Sequence, residues 1–276
     1  MSGDLTVPAG FFRLDGSVAV VTGACGKLGP VWMEALAGAG ARVAGLDLPG
    51  ARAPDGLRSL MDRHKGSVML GEADVTSRAS LDAALGWCVA TLGRPTILVN
   101  NAGIDQPPAA GMPAHPIERQ PAEAWRAVLE VNVLGVFQAA QVFGGAMLEA
   151  GRGVIVNIGS LYASVSPDPR FYDHIASDPP FLKPPAYGAS KAALVNLTRY
   201  LATHWAPRGI RVNALSPGGV LGGQDAEFRR KFTERVPLRR MAEPADLMGP
   251  LLFLVSDASR YVTGIELRVD GGYTAW

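Results

Sequence analysis

The sequence predicts an α/β protein: one doubly wound parallel sheet of about seven strands, with helices on both faces. Short apolar runs alternate along nearly the whole chain with longer stretches of helical apolar spacing. The runs are almost uninterrupted, as expected of parallel strands that are covered on both faces. No break in composition divides the 276 residues, so we expect a single domain over 1–276.

Each element follows from a local pattern. Right-handed crossovers between the strands give the doubly wound order and place ligands at the carboxyl ends of the strands. A leader at 1–16 comes first, Pro49 and Gly50 end the second strand, and Ser77 is an N-cap. The apolar runs that predict strands lie at 18–21, 42–46, 67–70, 96–99, 153–158, 210–215 and 264–269. The stretches that predict helices lie at 31–39, 51–64, 77–92, 122–150, 186–205, 226–235 and 244–256.

Composition and charge argue against several classes of function. A formal net charge of +1 gives no electrostatic reason to expect nucleic acid or an anionic membrane as a partner. The apolar stretch 131–147 is interrupted by Asn132, Gln138 and Gln141, which indicates a buried helix rather than a membrane span. Two cysteines give neither a disulfide framework nor metal-ligand spacing. Without a signal-peptide pattern, we expect a cytoplasmic protein without a metal.

A glycine-rich turn joins the first predicted strand to the first helix. Residues 17–40 read SVAVVTGACGKLGPVWMEALAGAG, with glycines at Gly23, Gly26 and Gly29. Backbone N–H groups at a helix N-terminus bind anions, and glycine lets a pyrophosphate approach them closely. The order of strand, glycine turn and helix therefore predicts a dinucleotide site. A turn that only packs the helix on the sheet is the alternative.

An acidic residue ends the second predicted strand. Asp47 lies 18 residues after Gly29, about where a carboxylate accepts hydrogen bonds from an adenosine ribose. Its charge would repel a 2′-phosphate, and Leu48 and Pro49 supply no cation, so we expect NAD(H) rather than NADP(H). Lys27 lies inside the glycine turn and could reach a phosphate. A solvated turn aspartate is the alternative for Asp47.

A tyrosine and a lysine share one face of the predicted helix 186–205. Tyr187 and Lys191 are four residues apart. An ammonium near a phenol favours the phenolate and lowers a pKa that starts near 10, which makes the tyrosine usable as a general acid or base. Ser160 follows the fifth strand, where its hydroxyl could reach the reacting oxygen. A Tyr–Lys pair at this spacing is common on protein surfaces. Its position after the strand that ends at Ser160 is what indicates a catalytic pair.

These motifs together resemble the short-chain dehydrogenase/reductase family, in its single-domain branch with a Rossmann-like fold. They run in family order from about residue 14 to residue 273. The matching pieces are the turn at 22–29, Asp74-Val75, the NNAG run at 100–103, Asn132 in VNVLGVF, Ser160, Tyr187 with Lys191, and the runs at 213–218 and 269–272.

The resemblance implies a role for each matching residue. Tyr187 would transfer the proton and Ser160 would hydrogen-bond the substrate oxygen. Lys191 would lower the Tyr187 pKa and bind the nicotinamide ribose, and Asn132 would hold a water in a proton relay. The residues expected to contact the cofactor are Gly23, Gly26, Lys27, Leu28, Gly29, Asp47, Asp74, Val75, Asn101, Ala102, Gly103, Tyr187, Lys191, Pro217, Gly218 and Val220.

Three features depart from the family pattern. The middle glycine of the T-G-x-x-x-G-x-G turn would fall at Lys27, and it stands instead at Gly26, a spacing typical of longer epimerase-like members. Gly222 occupies the position of a threonine that contacts the cofactor amide. Ser160 and Tyr187 are 27 residues apart, a longer gap than is common in the family.

The longer gap forms an insertion at 161–186 that must lie over or beside the pocket. Its polar side chains suit a polyhydroxylated or anionic substrate, such as a sugar derivative, and a surface or subunit-contact excursion is the alternative. We interpret His174 as a hydrogen-bonding loop residue, 104–120 as the opposite wall and 219–235 as a mobile lid. The polar residues in question are Tyr162, Asp168, Arg170, Tyr172, Asp173, His174 and Lys183.

The predicted function is that of an NAD(H)-dependent oxidoreductase that interconverts a secondary alcohol and a ketone on a small molecule. A sugar epimerase or dehydratase and a non-catalytic NAD-binding protein are the alternatives. The resemblance also implies a homotetramer, or a homodimer, formed through 122–150, 186–205 and the C-terminal strand. Small residues on these helices permit close packing.

Overall fold

The fold is described from a computed structural model for residues 10–105 and 114–276. Its strands are β1 (Val18–Thr22), β2 (Arg42–Asp47), β3 (Val68–Glu72), β4 (Ile97–Asn100), β5 (Gly153–Ile158), β6 (Ile210–Pro217) and β7 (Glu266–Val269). They form one parallel sheet of seven strands in the order β3-β2-β1-β4-β5-β6-β7, which confirms the predicted doubly wound fold. Residues 1–9 of the predicted leader and 106–113 of the predicted wall lie outside the described residues.

Helices connect the strands and begin close to the predicted positions. Ser77 is the N-cap of the third helix, because its hydroxyl accepts a hydrogen bond from the Ser80 N–H. The largest difference is at the second helix, which begins at Asp55, four residues later than predicted. β3 and β6 end two residues further along than predicted, and β7 begins two residues later. The helices are α1 (Gly29–Gly38), α2 (Asp55–Arg63), α3 (Arg78–Thr91), α4 (Ala122–Leu129), α5 (Val136–Ala150), α6 (Pro185–Trp205), α7 (Ala226–Glu234) and α8 (Pro244–Val255).

The two faces of the sheet are covered by different helices. Ala19 and Val21 of β1 belong to an apolar cluster with α1, α2 and α8, whereas Val18 and Val20 belong to a cluster with α3, α5 and α6. Successive residues of a strand point to opposite faces, so both sets must be apolar. Burial on both sides is the reason that the strands read as uninterrupted apolar runs.

The stretch predicted as one helix at 122–150 is interrupted by a π-helical segment, Glu130–Gly135. Apolar spacing remains helical on both sides of this segment, so periodicity does not reveal it. Segments of this kind are frequent at functional sites, and this one carries the buried Asn132. The stretch Ala122–Ala150 is long and apolar enough to cross a membrane, but half of its apolar window is buried. Phe143 and Met147 pack within the cluster of α3, α5 and α6, as expected of a core helix.

Candidate active site

A cavity of about 1040 Å³ lies at the carboxyl ends of β1, β4, β5 and β6. Strand order reverses between β1 and β4, which is where ligands bind in doubly wound sheets. The glycine turn lines one part of the cavity and the insertion lines another. Every residue predicted to contact the cofactor lines this cavity except Gly29.

Close backbone packing explains two of the glycines. Gly23 has a φ of +66°, and an added Cβ there would lie 2.8 Å from Ala102 Cα. At Gly29 an added Cβ would lie 2.3 Å from the carbonyl oxygen of Ala24. Gly29 therefore allows α1 to pack closely against the turn, which is the alternative interpretation given above for the motif. Gly23 and Gly26 line the cavity itself.

Asn101 fastens the glycine turn to the end of β4. Its Nδ2 donates to the carbonyl oxygens of Thr22 (3.0 Å) and Gly23 (2.9 Å), and its Oδ1 accepts from Trp32 Nε1 (2.8 Å). The side chain of Asn101 thus holds the turn in place. Trp32 was not predicted as a site residue, because its contact with Asn101 joins positions 69 residues apart.

Asp47 is held rigidly beside the turn. One carboxylate oxygen accepts from the Cys25 N–H (2.7 Å) and the other from the Leu48 N–H (2.8 Å). It lines the cavity, so it differs from the solvated turn aspartate that was the alternative. Asp74 is similarly fixed, since its Oδ1 accepts from the N–H (2.9 Å) and the hydroxyl (2.7 Å) of Thr76.

Lys27 spans the cavity from the glycine turn to the loop after β6. Its Nζ donates to the carbonyl oxygen of Val220 (2.8 Å), and burial lowers its pKa. A Cβ at Gly222 would lie 2.6 Å from this Nζ. The two departures from the family pattern at these positions are therefore linked: a lysine replaces a glycine in the turn, and a glycine makes room for its ammonium.

The three predicted catalytic groups converge on the cavity. Ser160 follows β5, and Tyr187 and Lys191 come from the first turns of α6. Lys191 Nζ donates to the carbonyl oxygen of Ile158 (2.8 Å) and lies 5.6 Å from the centre of the Tyr187 ring. Ser160 hydrogen-bonds to the Tyr187 phenol, which favours the phenolate.

The ionisation of this group differs from the prediction. Burial raises the pKa of Tyr187, Asp105 raises it further, and the hydrogen bond from Ser160 offsets only part of the rise. Lys191 is not among the groups that shift the Tyr187 pKa here, and its ammonium donates to a backbone carbonyl, so its effect on the phenol stays a prediction. Burial also lowers the Lys191 pKa to about 8. The phenol is thus protonated at neutral pH and is able to donate a proton.

Asn132 lies behind the catalytic groups, outside the cavity lining. Its Oδ1 accepts from the Ile104 N–H (2.8 Å), and its Nδ2 donates to Ile104 O (3.0 Å) and to Ser190 Oγ (3.0 Å). These contacts join the π-helical segment to the end of β4 and to α6. Its role in a water relay stays a prediction.

The polar residues of the insertion fall into two groups. Tyr162, Tyr172 and Lys183 line the cavity, as predicted for a segment beside the pocket. Asp168 and Asp173 point instead toward α7. Asp168 is buried and pairs with Arg170 and with Arg235, and Asp173 pairs with Lys231.

The region predicted as a mobile lid is fastened to the insertion. His174 Nε2 lies 2.9 Å from Asp225, the N-cap of α7, which agrees with its interpretation as a hydrogen-bonding loop residue. Phe171 packs against the rings of Phe228 and Phe232, with centroids 5.8 and 5.6 Å away. Ion pairs and aromatic contacts therefore both hold α7 over the cavity.

Asp105 is a cavity residue that the sequence did not single out. Its carboxylate oxygens lie 2.7 and 2.8 Å from Nζ of Lys183, whose side chain is only 5% exposed. This ammonium lies 5.2 Å from the centre of the Tyr187 ring. Asp105 lies two residues after the NNAG run that follows β4. Ligands bind at the carboxyl ends of the strands, so a charged residue at this position was the signal that could have identified it.

Comparison with known proteins shows that this chain is similar to oxidoreductases. Residues 28–274 match the family model described as enoyl-(acyl carrier protein) reductase. A galactitol 2-dehydrogenase (L-tagatose-forming) from Cereibacter sphaeroides is 37% identical over 271 residues, covering 96% of this chain and 98% of the relative. A D-threitol dehydrogenase from Mycolicibacterium smegmatis is 36% identical over 268 residues, covering 95% of each.

A solved structure gives the same result for the fold. A gluconate 5-dehydrogenase from Burkholderia cenocepacia, in complex with NADP and tartrate, superposes with a TM-score of 0.83 at 31% identity, covering 96% of this chain and 98% of that chain. The predicted fold and family are confirmed, and the predicted alcohol–ketone oxidoreductase agrees with the activities of the relatives. This chain belongs to the short-chain dehydrogenase/reductase family.

Proposed function

We propose that this protein is an NAD(H)-dependent dehydrogenase that interconverts a secondary alcohol of a small polyol and the corresponding ketone. The observation that carries the proposal is the convergence of Ser160, Tyr187 and Lys191 on a cavity that also contains the glycine turn. The relatives that act on galactitol and threitol support a polyol as the substrate.

The residues of the turn fit a dinucleotide. Gly23 and Gly26 leave the backbone open to the cavity, and the fixed carboxylate of Asp47 lies beside them. Gly23, Gly26 and Lys27 would hold the pyrophosphate and Asp47 the adenosine ribose. When bound, the nicotinamide supplies the hydride acceptor or donor.

The protein supplies the proton chemistry. In ketone reduction the Tyr187 phenol gives its proton to the substrate oxygen, and in alcohol oxidation the phenolate accepts one. The Ser160 hydroxyl donates to the same oxygen and stabilises developing negative charge. Burial opposes the phenolate in this site, and positive charge brought close to the phenol lowers its pKa again.

Replacement of the phenol tests this role directly. We expect Tyr187→Phe to lower kcat by about 10²- to 10⁴-fold, because proton transfer of this kind contributes about that factor. NADH formation from galactitol and D-threitol measures turnover, and quenching of protein fluorescence measures NADH binding, which should be unchanged. Tyr261→Phe is the matched control, since Tyr261 is fully exposed and lies outside the cavity lining. Turnover that survives in Tyr187→Phe would contradict the assignment.

The preference for NAD(H) rests on Asp47. The double change Asp47→Ala with Leu48→Arg removes the carboxylate and adds a cation, so it should raise the ratio of kcat/KM for NADP(H) over NAD(H). Leu48 is exposed at the mouth of the cavity, where an arginine has room. An unchanged ratio would remove the support for Asp47 as the selecting residue.

We also propose a single domain, a cytoplasmic location and a homotetramer. One sheet takes strands from residue 18 to residue 269, and both cysteines are free thiols. Leu134, Tyr200 and Ile265 are apolar or aromatic residues exposed on the regions expected to form the subunit contacts. Sedimentation of wild type and of Leu134→Glu with Tyr200→Glu tests the assembly, and a monomeric wild type would contradict it.

A further inference from the structure

The ion pair between Lys183 and Asp105 is a part of the site to which the family pattern gives no role. We propose that this pair selects neutral polyols over anionic sugar acids, by hydrogen-bonding substrate hydroxyls and excluding a carboxylate. The inference rests on the proposed function and names the substrate class of the same site.

The pair lies where a substrate must pass. Both residues line the cavity. The ammonium of Lys183 is 5.2 Å from the centre of the Tyr187 ring and 5.7 Å from that of Tyr162. A polyol whose reacting hydroxyl meets the Tyr187 phenol therefore extends past Lys183 and Asp105, which come from opposite sides of the cavity, β4 and the insertion.

The two ammonium groups beside Tyr187 have different partners, and only that of Lys183 is paired with a carboxylate. In the described part of the chain, the ammonium groups that line the cavity near this ring belong to Lys183 and Lys191. Lys183 is bound by both oxygens of Asp105, and Lys191 donates to a backbone carbonyl.

A carboxylate that entered beside Lys183 would have to share that ammonium with Asp105. Two carboxylates around a single ammonium leave a net negative charge at a pair in which the Lys183 side chain is 5% exposed and that of Asp105 is 39% exposed. Like charges repel strongly where water is scarce, and a desolvated anion without its own partner is costly. Specificity against sugar acids then comes from repulsion by the Asp105 carboxylate as well as from attraction to substrate hydroxyls.

Hydroxyl groups suit the same surroundings. A hydroxyl donates and accepts at once, so it is able to give a hydrogen bond to Asp105 and take one from Lys183. Tyr162 and Tyr172 hydrogen-bond to each other at the cavity wall, and burial raises the pKa of Tyr172 to about 12. Tyr162 is the donor in this pair, so the Tyr172 hydroxyl keeps its own hydrogen to donate to a polyhydroxylated chain.

Removing the charge of Asp105 should shift the selectivity from neutral polyols toward anionic sugar acids. Asp105→Asn keeps the size of the side chain and leaves the Lys183 ammonium available for an anion. We expect the Kd of galactonate for the NADH complex to fall by about 10- to 100-fold, since removal of a like charge in direct contact with an anion has effects of this order. The kcat/KM for galactitol should fall at the same time, because the acceptor for its hydroxyl is weaker.

Two further variants separate the pair from a general change of charge. Asp105→Asn with Lys183→Met should lose the gain in galactonate affinity, because the cation that binds the carboxylate is gone. Glu149→Gln is the matched control: it removes one negative charge from an exposed ion pair with Arg94 outside the cavity lining, so galactonate affinity should not change. Displacement of galactonate from the NADH complex, followed by fluorescence, measures affinity without turnover.

The outcomes are separable. A wild type that binds galactonate as tightly as its polyol overturns the selection, whether or not Asp105→Asn folds. So does a gain in affinity that persists without Lys183 or appears equally in Glu149→Gln. A wild type that oxidises no polyol contradicts the proposed function instead, and the binding measurements still decide what the pair selects.

Discussion

The two ends of the cavity are built in different ways. The cofactor end is held mainly by backbone: close approaches at Gly23 and Gly29, and N–H groups that fix Asp47. The substrate end is held by side chains from distant segments, through the pair of Lys183 with Asp105 and the ion pairs between the insertion and α7. Close backbone packing therefore constrains the residues of the family's glycine turn. The substrate wall depends instead on side-chain contacts between distant segments of this chain.

The largest effect on stability is expected at the cofactor end. Gly29→Ala places a Cβ 2.3 Å from Ala24 O, so the turn must shift. We expect a loss of about 3 kcal/mol in the free energy of unfolding, at the upper end for overpacking, together with loss of NADH binding. Chemical denaturation measures the first effect and fluorescence titration the second.

Gly38→Ala is the matched control for that change. Gly38 ends the same helix and has open space around its Cα, so alanine should be neutral or stabilising by up to about 1 kcal/mol. If both variants behaved alike, close packing would not be what distinguishes the turn, and the contrast between the two ends would lose its basis.

Lys191 lies between the cofactor end and the substrate end of the cavity. Its replacement should change stability and activity in opposite directions. Burial lowers its pKa to about 8, so holding it charged at pH 7 costs the folded state about 3 kcal/mol. Lys191→Met also loses the hydrogen bond to Ile158 O, worth about 1 kcal/mol. We expect Lys191→Met to raise the free energy of unfolding by about 2 kcal/mol at pH 7 and to abolish turnover.

The pH dependence of that gain is a second test. The unfolded chain binds more protons than the folded protein between pH 8 and about 10.5, because only the folded pKa is lowered. Wild-type stability therefore rises with pH in this window, and the advantage of Lys191→Met should shrink. Urea unfolding at pH 7 and pH 10 measures it, and an advantage that is equal at both pH values would contradict the buried charge.

A smaller effect is expected from the insertion. Asp168 is buried, but its partners Arg170 and Arg235 are largely exposed, with side chains 76% and 44% accessible. Because solvent screens such pairs, Asp168→Asn should lower the free energy of unfolding by about 1 kcal/mol. We expect the KM of the polyol to rise while the Kd of NADH stays unchanged, since the change loosens α7 only.

This contribution should also depend on pH. The two arginines hold the pKa of Asp168 well below its usual range. The stability it provides is present above the ordinary carboxyl pKa near 4 and is lost as the pH falls further toward the folded value. The difference in Tm between wild type and Asp168→Asn should be constant from pH 5 to pH 8 and smaller at pH 3. A rise in the Kd of NADH would show that the two ends are not independent.

The same contrast explains how much the sequence predicted. The sheet, the glycine turn and the positions of Ser160, Tyr187 and Lys191 follow from local periodicity and from the rule that parallel strands end at one edge. Such patterns need no knowledge of distant contacts. The individual cavity residues near the turn were predicted from the resemblance to the family, which matches them position by position.

The contacts that close the site could not be predicted in this way. Lys27 meets Val220 across 193 residues, and Lys183 meets Asp105 across 78. No local pattern records either partnership, because a lysine or aspartate in a loop looks the same whether it is solvated or paired. The raised pKa of Tyr187 was missed for the same reason, since burial depends on the walls and not on the Tyr–Lys spacing.

The insertion begins directly after Ser160 and ends directly before Tyr187, so both of its anchor points belong to the reaction itself. A segment of different length or composition between the same two residues would replace the part of the cavity wall that faces the substrate. The positions of β5 and α6 would not change. Retargeting this protein therefore means replacing one continuous stretch of chain together with its partners on α7 and at Asp105.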